Sequence, residues 1–135
     1  MEVKNCKLVK TISCNEADNC VKVARLMRDK KERHVIVCKG ISPVGIISSV
    51  DLVNEVLAEG KDPRKLKAKN VMVCPVHILD SNDSIFKAYF EMVKKNIYSC
   101  PVVDKGRLIG SLTLHDALKS MRSKEQTEKK WPQAV

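Results

Sequence analysis

The sequence predicts an α+β fold in which two β-α-β-β-α units pack with pseudo-two-fold symmetry. The first observation is an internal repeat, because the chain aligns with itself at a shift of 65 residues. The aligned pairs are Asp18 and Asp83, Lys22 and Lys87, Met27 and Met92, Gly45 and Gly110, and Asp51 and Asp116. The second observation is that each copy shows one helical apolar stripe followed by two short apolar runs. A sixty-residue unit with one exposed sheet face is marginal alone, so the two units must pack together.

Each unit should open with a short strand, around residues 8–12 in the first copy and 76–79 in the second. A helix follows, because a turn containing Asn15 or Asn82 precedes apolar residues at i, i+3, i+4 and i+7. The two stripes are Cys20, Val23, Ala24 and Met27, and Ile85, Ala88, Tyr89, Met92 and Val93.

Two hairpins come next, one in each copy. Their β-branched runs are residues 35–38 with 44–47, and residues 101–103 with 108–112. Turns at Gly40 and Gly106 join the strands of each pair. A second helix closes each copy, with apolar positions Leu52, Val53, Val56 and Leu57 in the first and Ala117, Leu118 and Met121 in the second.

The domain organisation follows from these elements. We expect a first repeat over residues 1–60 and a second over residues 71–122, separated by a basic linker at 61–70. Residues 123–135 are polar and charged up to Trp131, which predicts a flexible tail.

Charge and hydropathy limit the function classes. A net charge of +9 favours anionic partners, and the excess gathers in residues 61–69 and 119–130. No apolar run approaches the roughly 20 residues that span a bilayer, and the first residues lack the features of a secretory signal. We therefore expect a cytoplasmic protein without a membrane partner.

The six cysteines include no C-x-x-C pair, and the three histidines stand apart. We expect reduced thiols and no metal site. Cys20, Cys38 and Cys100 fall on apolar faces of the predicted elements, where a free cysteine behaves as a small hydrophobic residue.

One motif repeats where a hairpin runs into the following helix: glycine, a hydroxyl three residues later, and aspartate three residues after that. Its copies are Gly45, Ser48 and Asp51, and Gly110, Thr113 and Asp116. One interpretation is a capping box, in which the hydroxyl and the acid satisfy each other's backbone amides. The other is a ligand site, in which the helix start binds phosphate and the aspartate accepts from ribose hydroxyls. The two interpretations are compatible.

With this duplicated motif, the Pro101-Val102-Val103-Asp104 strand and the Asn70-Val71-Met72 segment, the chain resembles the tandem cystathionine β-synthase (CBS) domain pair from about residue 6 to residue 121. The resemblance implies a regulatory module without catalysis or a required cofactor. Such modules bind AMP, ADP, ATP, S-adenosylmethionine or related adenosyl compounds in clefts between the two repeats. It also implies a homodimer and a separate, regulated protein partner.

The resemblance implies two composite clefts. One would combine Ser48, Asp51, Val76, His77, Ser99 and Pro101; the other would combine Thr113, His115, Asp116, Thr11, Ile12, Arg33 and Val35. Arg33 and His115 would surround the phosphate in the second cleft, so we expect it to take the more phosphorylated ligand. Val35 replaces the family's proline, and Arg33 is also explained as part of a solvated helix end.

Three other functions compete with this one. Catalysis is disfavoured because the sequence suggests no Ser/His/Asp or Cys/His grouping and no phosphate loop. Nucleic-acid binding through the basic linker and tail is the main alternative, although aromatic residues are scarce. Phe86, Tyr89 and Phe90 lie on a helix that is expected to pack rather than offer a stacking platform. A dimeric scaffold that only docks a partner is the third.

Overall fold

The computed structural model describes residues 1–74 and 77–128, with side chains as far as residue 122. Its strands are β1 (Ser13–Asn15), β2 (His34–Lys39), β3 (Ser42–Ser48), β4 (Leu79–Asp80), β5 (Ser99–Asp104) and β6 (Arg107–Thr113). Its α-helices are α1 (Cys20–Lys30), α2 (Ser49–Leu52), α3 (Ala68–Val71), α4 (Ile85–Lys94) and α5 (Leu114–Glu128). A 3-10 turn spans Val3–Asn5, and a π turn spans Val53–Leu57.

The strands form two three-stranded sheets, in the orders β1-β2-β3 and β4-β5-β6. In the first sheet β1 runs parallel to β2 and β3 runs antiparallel to β2, with a bulge between Val37 and Cys38. In the second sheet β4 runs parallel to β5. The predicted α+β class and the two repeats with this order of elements are confirmed.

The chain divides into two compact units that do not follow sequence order. The first-repeat unit contains residues 11–78 and 106–108, and the second-repeat unit contains residues 1–10, 79–105 and the chain from residue 109 onward. Each unit has its own core. The fully buried residues include Val23, Val35 and Ile47 in the first and Ile85, Met92 and Leu112 in the second.

The amino-terminal segment belongs to the core of the second repeat. Val3 is fully buried beside Leu79 and Ile85. The amide of Val3 donates to the carbonyl of Asp83 at 2.9 Å, which fixes the segment beside the turn before α4. The first ten residues, assigned from sequence to the first repeat, therefore pack with the second.

The segment before β4 makes the equivalent contacts with the first repeat. Ala68 is fully buried, and its amide donates to the carbonyl of Asp18 at 2.7 Å. The carbonyls of Pro63 and Leu66 both accept from the amide of Cys20, at 3.1 and 2.9 Å. Residues 63–68 of the predicted linker are thus packed against the first repeat. The linker boundaries at 61 and 70 stay a prediction.

Two local expectations were wrong. The first opening strand lies at Ser13–Asn15 rather than 8–12, because Val9 instead pairs with Ser111 through N···O bonds of 2.9 and 3.0 Å. Phe86 and Phe90 are exposed on α4 rather than packed. The closing helix of the first copy is present as α2 continued by the π turn, and of its predicted apolar positions Val56 is buried while Leu57 is 71% exposed.

The last helix runs to Glu128, into the range assigned to the tail. Residues 129–135 lie outside the described residues, so the predicted flexibility of the tail stays a prediction.

Candidate functional site

The first copy of the repeated motif forms a capping box where β3 runs into α2. The amide of Asp51 donates to Ser48 Oγ at 3.1 Å, and the amide of Ser48 donates to Asp51 Oδ2 at 2.8 Å. Both residues are half-buried. The capping interpretation is confirmed for this copy.

The second copy uses the same residue types in a different arrangement. Thr113 Oγ1 accepts from the amide of Asp116 at 3.0 Å and donates its own proton to Asp116 Oδ2, also at 3.0 Å. The carboxylate is therefore held by the hydroxyl, and both residues are half-buried. In both copies the acid is fixed in place at the first turn of a helix.

The first amide of each helix already has an acceptor. Ser49 N donates to the carbonyl of Arg33 at 2.9 Å, and Leu114 N donates to the carbonyl of Tyr98 at 2.8 Å. The next amides, those of Val50 and His115, have no hydrogen-bond acceptor among the described residues. Of the first three amides of each helix, one, that of Val50 or of His115, is therefore free to bind an anion.

The candidate phosphate-binding residues occupy exposed positions. Arg33 is exposed, and its backbone lies at the start of α2, within the first-repeat unit. His115 is exposed on the first turn of α5. The predicted partnership of Arg33 with Asp116 joins residues of different units and stays a prediction.

The remaining candidates differ in exposure. Thr11, Ile12 and His77 are half-buried, Ser99 is exposed at the start of β5, and Val35 and Pro101 are buried in β2 and β5. Ile12 packs against the first core, and Val35 is a member of that core with no exposed surface. Val76 lies outside the described residues.

Each predicted cleft draws its residues from both compact units. Ser48, Asp51 and His77 belong to the first-repeat unit, whereas Ser99 and Pro101 belong to the second-repeat unit. The other cleft is divided in the same way, with Thr113, His115 and Asp116 in the second-repeat unit and Thr11, Ile12, Arg33 and Val35 in the first-repeat unit. The assembly of either cleft stays a prediction.

The motif glycines have a structural role that the sequence analysis missed. A Cβ built on Gly45 would lie 2.5 Å from Met72 Sδ, and one built on Gly110 would lie 3.0 Å from the carbonyl oxygen of Val9. Both close approaches arise where an isolated segment pairs with the strand, at Ile46 with Val73 and at Ser111 with Val9. The absence of a side chain at each glycine thus allows the paired segment to lie close to the strand. From the sequence alone, the motif spacing shows only that the glycine recurs, not that another segment lies against it.

The thiols are sequestered rather than activated. Five of the six cysteines are buried, which confirms the placement of Cys20, Cys38 and Cys100, and only Cys74 is exposed. Burial raises the pKa of Cys14 and of Cys100 to about 12.

Within residues 1–74 and 77–128, no three His, Cys, Asp or Glu side chains are grouped so that they could hold a metal ion. Nor does any helix in that part of the chain combine the length and apolar character needed to cross a bilayer.

Comparison with known proteins identifies the class. The CBS domain family model matches residues 7–58 and 68–123, so the chain belongs to the CBS domain family and carries two such domains in tandem. Protein MK0525 of Methanopyrus kandleri is 33% identical over 109 residues, which cover 79% of this chain. The chain spans 56% of the length of that relative, and 23% and 37% of two other curated relatives.

Solved structures support the same fold. Hypoxic Response Protein I, determined with two coordinated zinc ions, matches with a TM-score of 0.77 at 22% identity, covering 89% of this chain and 98% of that one. The CBS domain protein PAE2072 of Pyrobaculum aerophilum, determined in complex with AMP, matches with a TM-score of 0.73 at 20% identity. That match covers 91% of this chain and 99% of the archaeal chain.

Proposed function

We propose that this chain is a regulatory, non-catalytic module that binds adenine nucleotides or adenosyl compounds, with Asp51 and Asp116 each holding the ribose of one ligand. The observation that carries the proposal is that a hydroxyl and a carboxylate are paired twice, each time where a strand becomes a helix. A similarly folded CBS protein binds AMP, which supports this ligand class.

The capping contacts leave room for a ligand at the same carboxylates. In each aspartate the contact at the helix start uses Oδ2, and among the described residues no hydrogen bond reaches Oδ1. An ionised acceptor makes a hydrogen bond about twice as strong as a neutral one does, so Oδ1 is suited to ribose hydroxyls. Each acid therefore keeps its contact at the helix start, Asp51 with the Ser48 amide and Asp116 with the Thr113 hydroxyl, and can accept from a sugar without rearrangement.

We further propose that the predicted cleft containing Asp116 takes the more phosphorylated ligand. His115 is exposed one position before the aspartate, and its amide is available to an anion. The corresponding residue in the first motif, Val50, carries no charge and is 60% exposed. Recruitment of Arg33 to the phosphate is part of this proposal and rests on the family resemblance.

A thermal-shift titration with AMP, ADP, ATP and S-adenosylmethionine tests ligand binding. A ligand at about one hundred times its Kd adds about 2.7 kcal/mol to the free energy of unfolding, which is a readily measured shift. Asp51→Asn and Asp116→Asn each retain a side-chain oxygen for the cap but remove the charge. We expect each to abolish the shift contributed by its own pocket.

The matched control is Asn19→Ala. Asn19 caps α1 by accepting from the amide of Lys22 at 2.9 Å, outside both motifs. Its loss should lower stability by about 1 kcal/mol while the ligand-induced shift remains. If both aspartate variants bind every ligand as the parent does, the ribose assignment is wrong.

A fluorescence anisotropy titration with an oligonucleotide tests nucleic-acid binding, the alternative function. Affinity for an oligonucleotide that falls steeply between low and moderate salt, with no effect of AMP or ATP, would favour that function. A homodimer, a regulated partner protein and a cytoplasmic location stay predictions that accompany the module.

A further inference from the structure

The helices α1 and α4 occupy equivalent places in the two repeats, but they fill the space beside them differently. At the shift of 65 residues the same three positions are buried in both helices: Cys20 with Ile85, Val23 with Ala88, and Met27 with Met92. At the same shift Ala24 corresponds to Tyr89. Tyr89 is half-buried and packs against the core of its unit, whereas Ala24 is exposed and ends at Cβ. The first repeat therefore leaves open a space that the second repeat fills with a phenol ring.

This open space is a pocket of about 300 Å³ between α1 and the π turn, which we call the α1 pocket. The lining side chains of Cys20 and Val56 are buried, at 1% and 2% exposure, and connect the pocket to the core of the first repeat. Val21, Ala24 and Leu57 provide further apolar lining. The volume lies at the lower end of the roughly 300–1,000 Å³ that ligand pockets span. None of the nucleotide-site candidates lines the α1 pocket.

The π turn shapes the wall opposite α1. The amide of Ala58 donates to the carbonyl of Val53 at 2.8 Å, and the amide of Lys61 donates to the carbonyl of Val56 at 3.0 Å, each five residues back along the chain. Leu57 lies in this turn and is 71% exposed although it is apolar. Short π segments inserted in helices are frequent at functional sites. A ligand in the α1 pocket would remove part of this apolar surface from water.

The charged side chains that line the α1 pocket are both cations, Arg25 and Arg28, and no Asp or Glu is among its lining residues. Among the residues that the structure describes, Arg25 has no ion-pair partner. The ion pair of Arg28, with Asp29 at 2.9 Å, is made by two exposed side chains and is therefore weak. The α1 pocket thus combines apolar walls with a guanidinium that is available to an anion.

We propose that the α1 pocket binds a small amphipathic carboxylate, with its apolar chain against Val21 and Leu57 and its carboxylate on Arg25. A guanidinium can donate two parallel hydrogen bonds to one carboxylate, which is the strongest pairing open to Arg25. Since a water molecule takes about 30 Å³ of liquid, the volume suits about ten non-hydrogen atoms. A chain of eight carbons that ends in a carboxylate meets this limit, so octanoate is the probe.

Other ligand chemistries fit the α1 pocket less well. A cationic amphiphile would place its charge beside Arg25 and Arg28, where like charges repel. A nucleotide would set its polar sugar and base against apolar side chains such as Val21 and Leu57, which offer them no hydrogen bonds. Carboxylate binding here is independent of the proposed nucleotide sites.

A titration of the ¹⁵N-labelled full chain with octanoate, followed by two-dimensional NMR, tests the proposal. We expect saturable shifts of amide signals that are confined to α1 and to the π turn. Hexanoate, which is two methylene groups shorter, should bind about tenfold more weakly, because each buried methylene contributes about 0.8 kcal/mol. Octylamine has the same chain length and the opposite charge, and it should cause no saturable shift.

Two substitutions separate the chain and the head of the ligand. Ala24→Tyr introduces the residue that the second repeat carries at this place, so it should fill the pocket and abolish octanoate binding. Arg25→Gln should weaken binding about ten- to hundredfold, because it removes a hydrogen bond to a charged group. Lys30→Gln is the matched control, since it removes one cation from the same helix outside the pocket. All three positions are exposed, so circular dichroism should show unchanged folding.

The proposal is overturned if octanoate causes no saturable shift in the parent, or if the shifts are scattered over both repeats. It is equally overturned if octylamine binds as tightly as octanoate, or if folded Ala24→Tyr or Arg25→Gln binds octanoate as the parent does. Thermal-shift titrations of the same variants with AMP and ATP report on the nucleotide sites separately. Any nucleotide-induced shift of the parent should persist in Ala24→Tyr, because Ala24 belongs to neither predicted cleft.

Discussion

Burial separates Cys74 from the other five cysteines. The thiolate is the reactive form, and burial raises the pKa of Cys14 and Cys100 to about 12, so both remain protonated at neutral pH. We expect a disulfide reagent such as dithionitrobenzoate to modify one thiol rapidly in the native protein and the others only on unfolding. Cys74→Ser should remove the rapid absorbance change, whereas Cys38→Ser should retain it. Rapid reaction of several thiols would contradict the burial.

The raised thiol pKa values also predict alkaline destabilisation. Above the ordinary thiol pKa of 9, the unfolded chain loses protons that Cys14 and Cys100 still hold when folded. Stability is therefore full below pH 9 and falls between pH 9 and 12, by at most about 1.4 kcal/mol per pH unit for each thiol. Urea unfolding across this range measures the slope. For Cys100→Ala, stability measured relative to the same variant at pH 8 should fall less steeply with pH than it does in the parent. An unchanged slope would contradict the raised pKa of Cys100.

At the scale of elements, the motif glycines set how closely two segments can approach. A methyl group on Gly110 would press on the carbonyl of Val9 and, at 3.2 Å, on Leu8 Cβ. We expect Gly110→Ala to lower the free energy of unfolding by about 1–3 kcal/mol. The matched control is Ile109→Ala, whose side chain is 46% exposed on the same strand and should cost much less. If chemical denaturation gives the two variants equal losses of unfolding free energy, the close approach of residues 8–9 to Gly110 does not limit the side chain at that position.

The elements best predicted from sequence are those fixed by local periodicity. Helices α1 and α4 and both hairpins are confirmed, because most predicted apolar positions of each helix are buried. Ala24 and Val93, assigned to the same stripes, are instead exposed. The first opening strand was misplaced because Leu8 packs against the core of the second repeat and Val9 pairs with Ser111, over a hundred residues away. Phe86 was misassigned because helical spacing does not distinguish a packed aromatic residue from an exposed one.

At the scale of the whole molecule, the second repeat is completed by residues that begin the chain. Val3 is fully buried in its core, so Val3→Ala should lower stability by about 2 kcal/mol, and deletion of residues 1–6 by more. Val50→Ala is the matched control, because Val50 is 60% exposed. Denaturant unfolding measures both. A deletion variant as stable as the parent would show that the segment is not part of the core.

The sequence could not reveal this interleaving, since no local pattern encodes which distant turn a three-residue segment will contact. The candidate site shows the same limit. The positions of Ser48 and Asp51 at a helix start followed from spacing. The mode by which Thr113 holds Asp116 instead depends on where one hydroxyl proton points.

The placement of residues 1–10 has a mechanical consequence. Residues 1–10 pack in the second-repeat unit, whereas residues 63–68, which connect the two repeats, pack in the first-repeat unit. Any polypeptide fused ahead of Met1 would therefore pull on the second repeat.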